Sequence, residues 1–195
     1  MAKRSIEDHF TIDNAFLDYL RTKNELAARS ELEGFYEKVQ RSNIVFVNQP
    51  VARGFGDAVY HAKPFTGDVP FMVHAGDDLI VSENNEHLKG LINTFEKYKI
   101  DAAFYVERVR DPSRYGVIVG RRINKKIIKV DEIWEKPPSP PSNIAIVGVY
   151  VFNSKIFRAL EKTKPDKNNE IQLTDAIRQL IDKGNDVYAL ELNQD

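Results

Sequence analysis

Five short segments of this chain carry residue types at spacings that could do chemistry. In Gln49-Pro-Val-Ala-Arg-Gly54-Phe-Gly56-Asp57-Ala58-Val59 a glycine-bearing turn runs toward a helix. Glycines let a backbone approach a ligand closely, and a helix start offers free N–H groups to anions. The same pattern also serves a tight strand-to-helix turn with no ligand. No Lys-Ser/Thr follows Gly56, so it is not a P-loop. Gly76-Asp77-Asp78 closes an apolar run. A carboxylate at a strand end can hold Mg²⁺, which takes oxygen ligands alongside phosphates, or it can sit in a solvated turn. Tyr115-Gly116-Val117 follows Asp111-Pro112 as a loop opening into a strand. Glu135-Lys136-Pro137 sets a carboxylate beside an ammonium. That pair offers acceptors for hydroxyls and a charge for phosphate, or it is a surface ion pair worth about 1 kcal/mol or less. Pro137 also biases Lys136 toward extended geometry. Glu170-Ile-Gln172-Leu-Thr-Asp175 reads as a helix entry with Thr174 as N-cap. Outside these five, Gly148 interrupts a β-branched run between Asn143 and Tyr150, as glycine does at a bulge or a close approach.

The elements that must position these residues follow from periodicity. Residues 14–40 predict a helix, with Phe16, Leu20, Leu26, Leu32 and Phe35 among its apolar positions. Ile44-Val-Phe-Val47 predicts a short buried strand, and a helix follows from about Asp57. Phe71 to Ala75 is a second strand, Asn84 to Tyr98 a crossover helix, and Ala102 to Val109 a third strand. This rhythm predicts α/β layering around a largely parallel sheet. Val117 to Trp134 reads as a hairpin around the basic turn Arg121–Lys126, a solvated tip. Four prolines between Pro137 and Pro141 mark a fixed loop. Ala145 to Phe152 is another strand. Asn153 or Ser154 caps a helix through Lys162, Thr174 caps one ending at Gly184, and Tyr188 to Leu192 is a last strand.

Composition narrows the setting. The chain has 195 residues, 42% hydrophobic and 29% charged, which is ordinary for a globular domain with a real core. A formal net charge of −1 gives no electrostatic case for nucleic acid or a membrane surface. Without cysteine there is no disulfide, thiolate metal site or thiol nucleophile, which suits a cytoplasmic protein. The apolar run Ile144–Phe152 is far shorter than the roughly 20 residues of a membrane helix. His9, His61, His74 and His87 have no zinc spacing, and no Gly-x-Ser-x-Gly occurs.

In this order the segments resemble the sugar-phosphate nucleotidylyltransferases, above all the bacterial and archaeal UTP–glucose-1-phosphate uridylyltransferases. The resemblance runs from about Lys3 to Leu192. It implies a doubly wound α/β fold of glycosyltransferase-A type: a mostly parallel, mixed sheet with helices on both faces, in one incomplete domain over 1–195. It implies transfer of a uridylyl group from UTP to glucose 1-phosphate, giving UDP-glucose and pyrophosphate, with Mg²⁺ as cofactor. On the same ground Gln49 meets the pyrimidine and Gly54 admits the nucleoside, while Asp77 is the magnesium aspartate. Gly116 and Gly148 lie against the sugar, Glu135 binds its hydroxyls, and Lys136 contacts its phosphate. Asp78 is assigned to loop structure. A thymidylyltransferase is the other reading within the enzyme class, since Gln49 alone does not separate UTP from dTTP.

Two pieces that the family normally carries do not occur in this sequence. One is an opening glycine-rich loop with Arg and Lys that grips the triphosphate, and the other is a later aspartate-glycine motif supplying a second metal carboxylate. Loss of a single charge stabiliser can cost about 10³–10⁵ in phosphoryl-transfer rate. The expectation is therefore an N-terminally truncated enzyme domain with little turnover on its own, or a non-catalytic nucleotide-sugar-binding or regulatory paralogue. A missing central strand would leave unpaired backbone groups, which predicts a homo-oligomer or a partner subunit.

Overall fold

The computed structural model describes residues 4–192, so Lys3 at the head of the resemblance lies outside them. The chain divides into two compact units, Met1–Asn48 and Gln49–Asp195.

The first unit holds α1 (Arg4–His9), α2 (Asn14–Thr22) and α3 (Leu26–Gln40). Asp13 starts α2 by accepting the Phe16 N–H at 2.9 Å. The Tyr36 hydroxyl accepts the Asp13 N–H at 3.1 Å, which ties α3 back to that cap. The single helix expected over 14–40 is broken in two, because Asn24 takes a left-handed φ of 59°. Ile44–Val47, expected as a buried strand, has no strand structure, and all four side chains are at least 40% exposed. Residues of high β-propensity make a strand only where a neighbouring strand supplies the ladder, and none pairs with them among the described residues.

The second unit is built on a six-stranded sheet in the order β1-β5-β2-β6-β4-β3. Its strands are β1 (Phe71–His74), β2 (Ala102–Arg108), β3 (Gly116–Arg122), β4 (Ile127–Glu135), β5 (Ile144–Phe152) and β6 (Val187–Glu191). The mixed α/β class stands, but the balance of directions differs from expectation. Only β2 and β6 run parallel among the described strands. Two features cause this: β3 and β4 form a hairpin, and β5 threads antiparallel between β1 and β2.

Both faces of the sheet are covered, as alternation along β2 shows. Ala102, Phe104 and Val106 join one core with Ile156, Phe157 and Leu160 of α7 (Lys155–Leu160) and Leu173, Ile177 and Leu180 of α8 (Leu173–Asp182). Ala103 and Tyr105 join the other, against Leu91 and Phe95 of α6 (Glu86–Tyr98). Asn153 starts α7, its side-chain oxygen accepting the Lys155 N–H at 3.0 Å. Thr174 does not cap α8. The helix begins two residues earlier, with Gln172 at the N-cap position, and the Thr174 hydroxyl is engaged elsewhere. Among the described residues no helix is long and apolar enough to cross a membrane.

Candidate functional site

The register of the β3–β4 hairpin sets Gly116 directly opposite Glu135. One residue on, the Lys136 N–H donates to the Tyr115 carbonyl at 3.1 Å. Lys136 then takes φ 39°, not the extended backbone expected before proline. This left-handed turn swings the chain out of the ladder into the Pro137–Pro141 loop. A non-glycine residue held there costs of order 1–3 kcal/mol, and such strain gathers at functional sites. The Lys136 ammonium lies 3.5 Å from Glu135 Oε1. Glu135 Oε2 accepts the Thr174 hydroxyl at 2.9 Å.

Gly76-Asp77-Asp78 follows β1 and is anchored to β5 at two points. The Ala75 N–H donates to the Gly148 carbonyl at 2.7 Å, and the Gly148 N–H donates to Asp78 Oδ2 at 2.6 Å. The second bond gives Asp78 a definite structural task, and both Asp77 and Asp78 line the pocket described below. It also explains Gly148, because a Cβ there would stand 2.4 Å from Asp78 Oδ2 and 2.6 Å from the Ala75 Cβ.

The glycine turn leads into α4 (Phe55–Tyr60) and docks on the Glu170 segment. The Ile171 N–H donates to the Arg53 carbonyl at 2.7 Å, and the Gly56 N–H to the Ile171 carbonyl at 2.9 Å. Gly54 has φ 89°, and a Cβ on it would lie 2.9 Å from the Glu170 Cβ. The turn's glycines are thus required by this chain's own packing. Inside the turn, Gln49 Nε2 donates to Asp57 Oδ2 at 2.7 Å and to the Gly54 carbonyl at 3.3 Å. Asp57, only 2% exposed, also accepts from Arg53 at 2.7 Å. Burial favours its protonated form, but the Gln49 and Arg53 hydrogen bonds and the Arg53 charge outweigh it and hold the carboxyl below its usual range.

These elements enclose a pocket of about 430 Å³ beyond the C-terminal ends of β1 and β4. It brings together Asp77, Gly116, Glu135, Lys136 and Gly148, five of the seven residues singled out in the sequence. Gln49 and Gly54 do not line it, although Phe55, next in the chain, does. A wider pocket of about 820 Å³ shares the Glu135–Lys136 wall and extends under the proline loop. The sequence reading missed Tyr150 and Thr174. Tyr150 was findable, since it lies two residues past Gly148 on the same face of β5. Burial pushes its phenol far up, and the Glu135 and Asp78 charges push the same way, so it stays a proton donor. No group of three or more His, Asp or Glu side chains gathers as a metal cage among the described residues. Asp77 lines the same pocket as the Asp78 and Glu135 carboxylates and the Lys136 ammonium, a donor set that fits an Mg²⁺ taking one or two protein carboxylates and completing its shell with phosphates and water.

A sequence model of the nucleotidyl transferase family matches residues 12–195. A UTP–glucose-1-phosphate uridylyltransferase of Streptococcus pyogenes serotype M1 is 41% identical over 97% of this chain, and the chain spans 64% of that relative's length. Among solved structures, an apo UDP-glucose pyrophosphorylase superposes with a TM-score of 0.86 at 31% identity, over 98% of this chain and 70% of that one. A UDP-glucose pyrophosphorylase complexed with UDP-glucose gives 0.80 at 31% identity, over 97% and 69%. The spacing of the motifs, the pocket they line and this match over almost the whole sequence agree: the chain belongs to the nucleotidyl transferase family.

Proposed function

We propose that this chain carries the nucleotide-sugar site of a UTP–glucose-1-phosphate uridylyltransferase. The observation that carries the proposal is the convergence of Asp77, Glu135 and Lys136 on one glycine-lined pocket. In the reaction, a phosphate oxygen of glucose 1-phosphate attacks the α-phosphorus of UTP, and the bond to the leaving pyrophosphate breaks. No side chain has to act as nucleophile. Protein groups in such transfers align the reactants and neutralise charge. Glu135 accepts hydrogen bonds from sugar hydroxyls, and Lys136 steadies the sugar phosphate. Gly116 and Gly148 keep the walls low enough for the ring to approach. Gln49 meets the pyrimidine from the turn at Gly54. Asp77 would hold Mg²⁺, which supplies positive charge to the phosphates when bound. The choice between uracil and thymine is not made by Gln49, because both bases present the same donor and acceptor edge.

A second reading is a non-catalytic nucleotide-sugar-binding or regulatory protein, which would use the same pocket of Asp77, Glu135 and Lys136. Both readings predict saturable UDP-glucose binding in a calorimetric titration. Glu135→Ala and Lys136→Ala should each weaken it about tenfold or more, since hydrogen bonds to charged groups are worth about 1.5–3 kcal/mol. Equal affinity in all three proteins would sink both readings. Formation of UDP-glucose from UTP and glucose 1-phosphate then separates the enzyme from the binding protein.

A further inference from the structure

We propose that Thr174 is a positioning residue for sugar recognition, fixing which oxygen of Glu135 faces the ligand. The proposal rests on the reading of Glu135 as the group that binds the sugar. Thr174 is 6% exposed and is the second residue of α8. The helix cannot shift easily, because Leu173, Ala176, Ile177 and Leu180 are all buried beneath it. From that fixed point the Thr174 hydroxyl donates to Glu135 Oε2 at 2.9 Å.

The last torsion of a glutamate is broad and roughly two-fold, so a carboxylate left to itself swings between orientations. With Oε2 held by Thr174, Oε1 is the oxygen left to the pocket, on the side of the Lys136 ammonium 3.5 Å away. Gly116 makes the arrangement possible. A Cβ on it would stand 3.1 Å from the Thr174 methyl and 3.4 Å from Glu135 Oε2. The usual task of a threonine at a helix start is capping, but here the cap position is Gln172 and the hydroxyl turns away from its own helix. Preorganising an acceptor in this way raises affinity by removing the cost of ordering it on binding. Thr174 therefore acts on the sugar through Glu135, without touching the nucleoside.

The test uses the full chain and two ligands, UDP-glucose and UDP, so that the sugar's share of binding is read separately. Thr174→Val keeps the shape and removes the donor, whereas Thr174→Ser keeps the donor and removes the methyl. Wild type and Thr174→Ser should bind UDP-glucose more tightly than UDP. Thr174→Val should lose about tenfold in UDP-glucose affinity with UDP affinity unchanged. Thermal melts establish that each variant is folded, and Thr174→Ala replaces the valine variant if that one is not. An undiminished preference for UDP-glucose in the donor-free variant would overturn the proposal. So would an equal loss in Thr174→Ser, which would trace the effect to packing. A wild-type protein with no preference for UDP-glucose over UDP would overturn the sugar role of Glu135 itself, and this proposal with it.

Discussion

At the scale of the residue, the decisive question is which side chains are already spoken for. Both amide protons of Gln49 are committed inside the turn, to Asp57 and to the Gly54 carbonyl. What Gln49 has left for a ligand is its carbonyl oxygen, an acceptor. Uracil and thymine offer N3–H to an acceptor, and cytosine offers only a lone pair there. The chain should therefore bind UDP more tightly than CDP, and Asp57→Ala, which frees the amide to rotate, should reduce that ratio several-fold. An unchanged ratio in competition binding would remove Gln49 from base selection. Gln49 stood out in the sequence because it opens the glycine motif, whereas Asp57, which holds its amide, looked like one more residue of a helix start. Thr174 was misread for a related reason: its place near a helix entry suggested a cap, and only the fold brings Glu135 within 2.9 Å of it. The left-handed Lys136 runs against the local rule for residues before proline, so no local reading would have found it.

Elements were legible where local pattern sets them and hidden where pairing is long-range. Local pattern located the hairpin and the apolar run of β5, yet nothing in Ile144–Phe152 says that it runs between β1 and β2. The junctions are likewise set by distant partners. Asp101, just before β2, accepts from Asn153 at 2.7 Å and from the Lys155 ammonium at 2.6 Å, and its other oxygen accepts the Asp186 N–H at 3.0 Å. One carboxylate thus pins the start of β2, the β5–α7 turn and the approach to β6. Burial opposes its ionisation, but Lys155, Asn153 and the Asp186 amide prevail and hold the carboxyl below 3.8. A carboxyl depressed in the folded state stabilises fully above its unfolded pKa, and that share is lost as pH falls through the folded value. Stability should therefore be steady from neutrality down to about pH 5 and then decline. Asp101→Asn should be less stable at neutral pH and decline less steeply in acid. Parallel acid-unfolding curves for the two proteins would refute this role.

At the scale of the molecule, protection from solvent is unevenly spread, and that makes the architecture measurable. Among the described residues of the first unit only Leu20 and Tyr36 are buried. In the second, β2 is hydrogen-bonded to β5 and β6 and buried on both faces. β1 has one ladder partner, β5, among the described strands, so one row of its backbone groups has no strand beside it. Amide exchange in the native state follows local opening, which is cheapest where burial and pairing are least. The amides of 4–48 should exchange first, those facing outward on β1 next, and those of β2 and β5 last. Slow exchange along 4–48 would mean that the first unit is held by more than its two buried side chains. Protection on β1 equal to that on β2 would show that another strand lies along its open edge. Native mass then identifies the source, because protection that appears only at twice the chain mass assigns that strand to a second copy. An open edge of half-buried Phe71, Met72 and Val73 invites such pairing, and this is the physical basis for expecting the chain to associate.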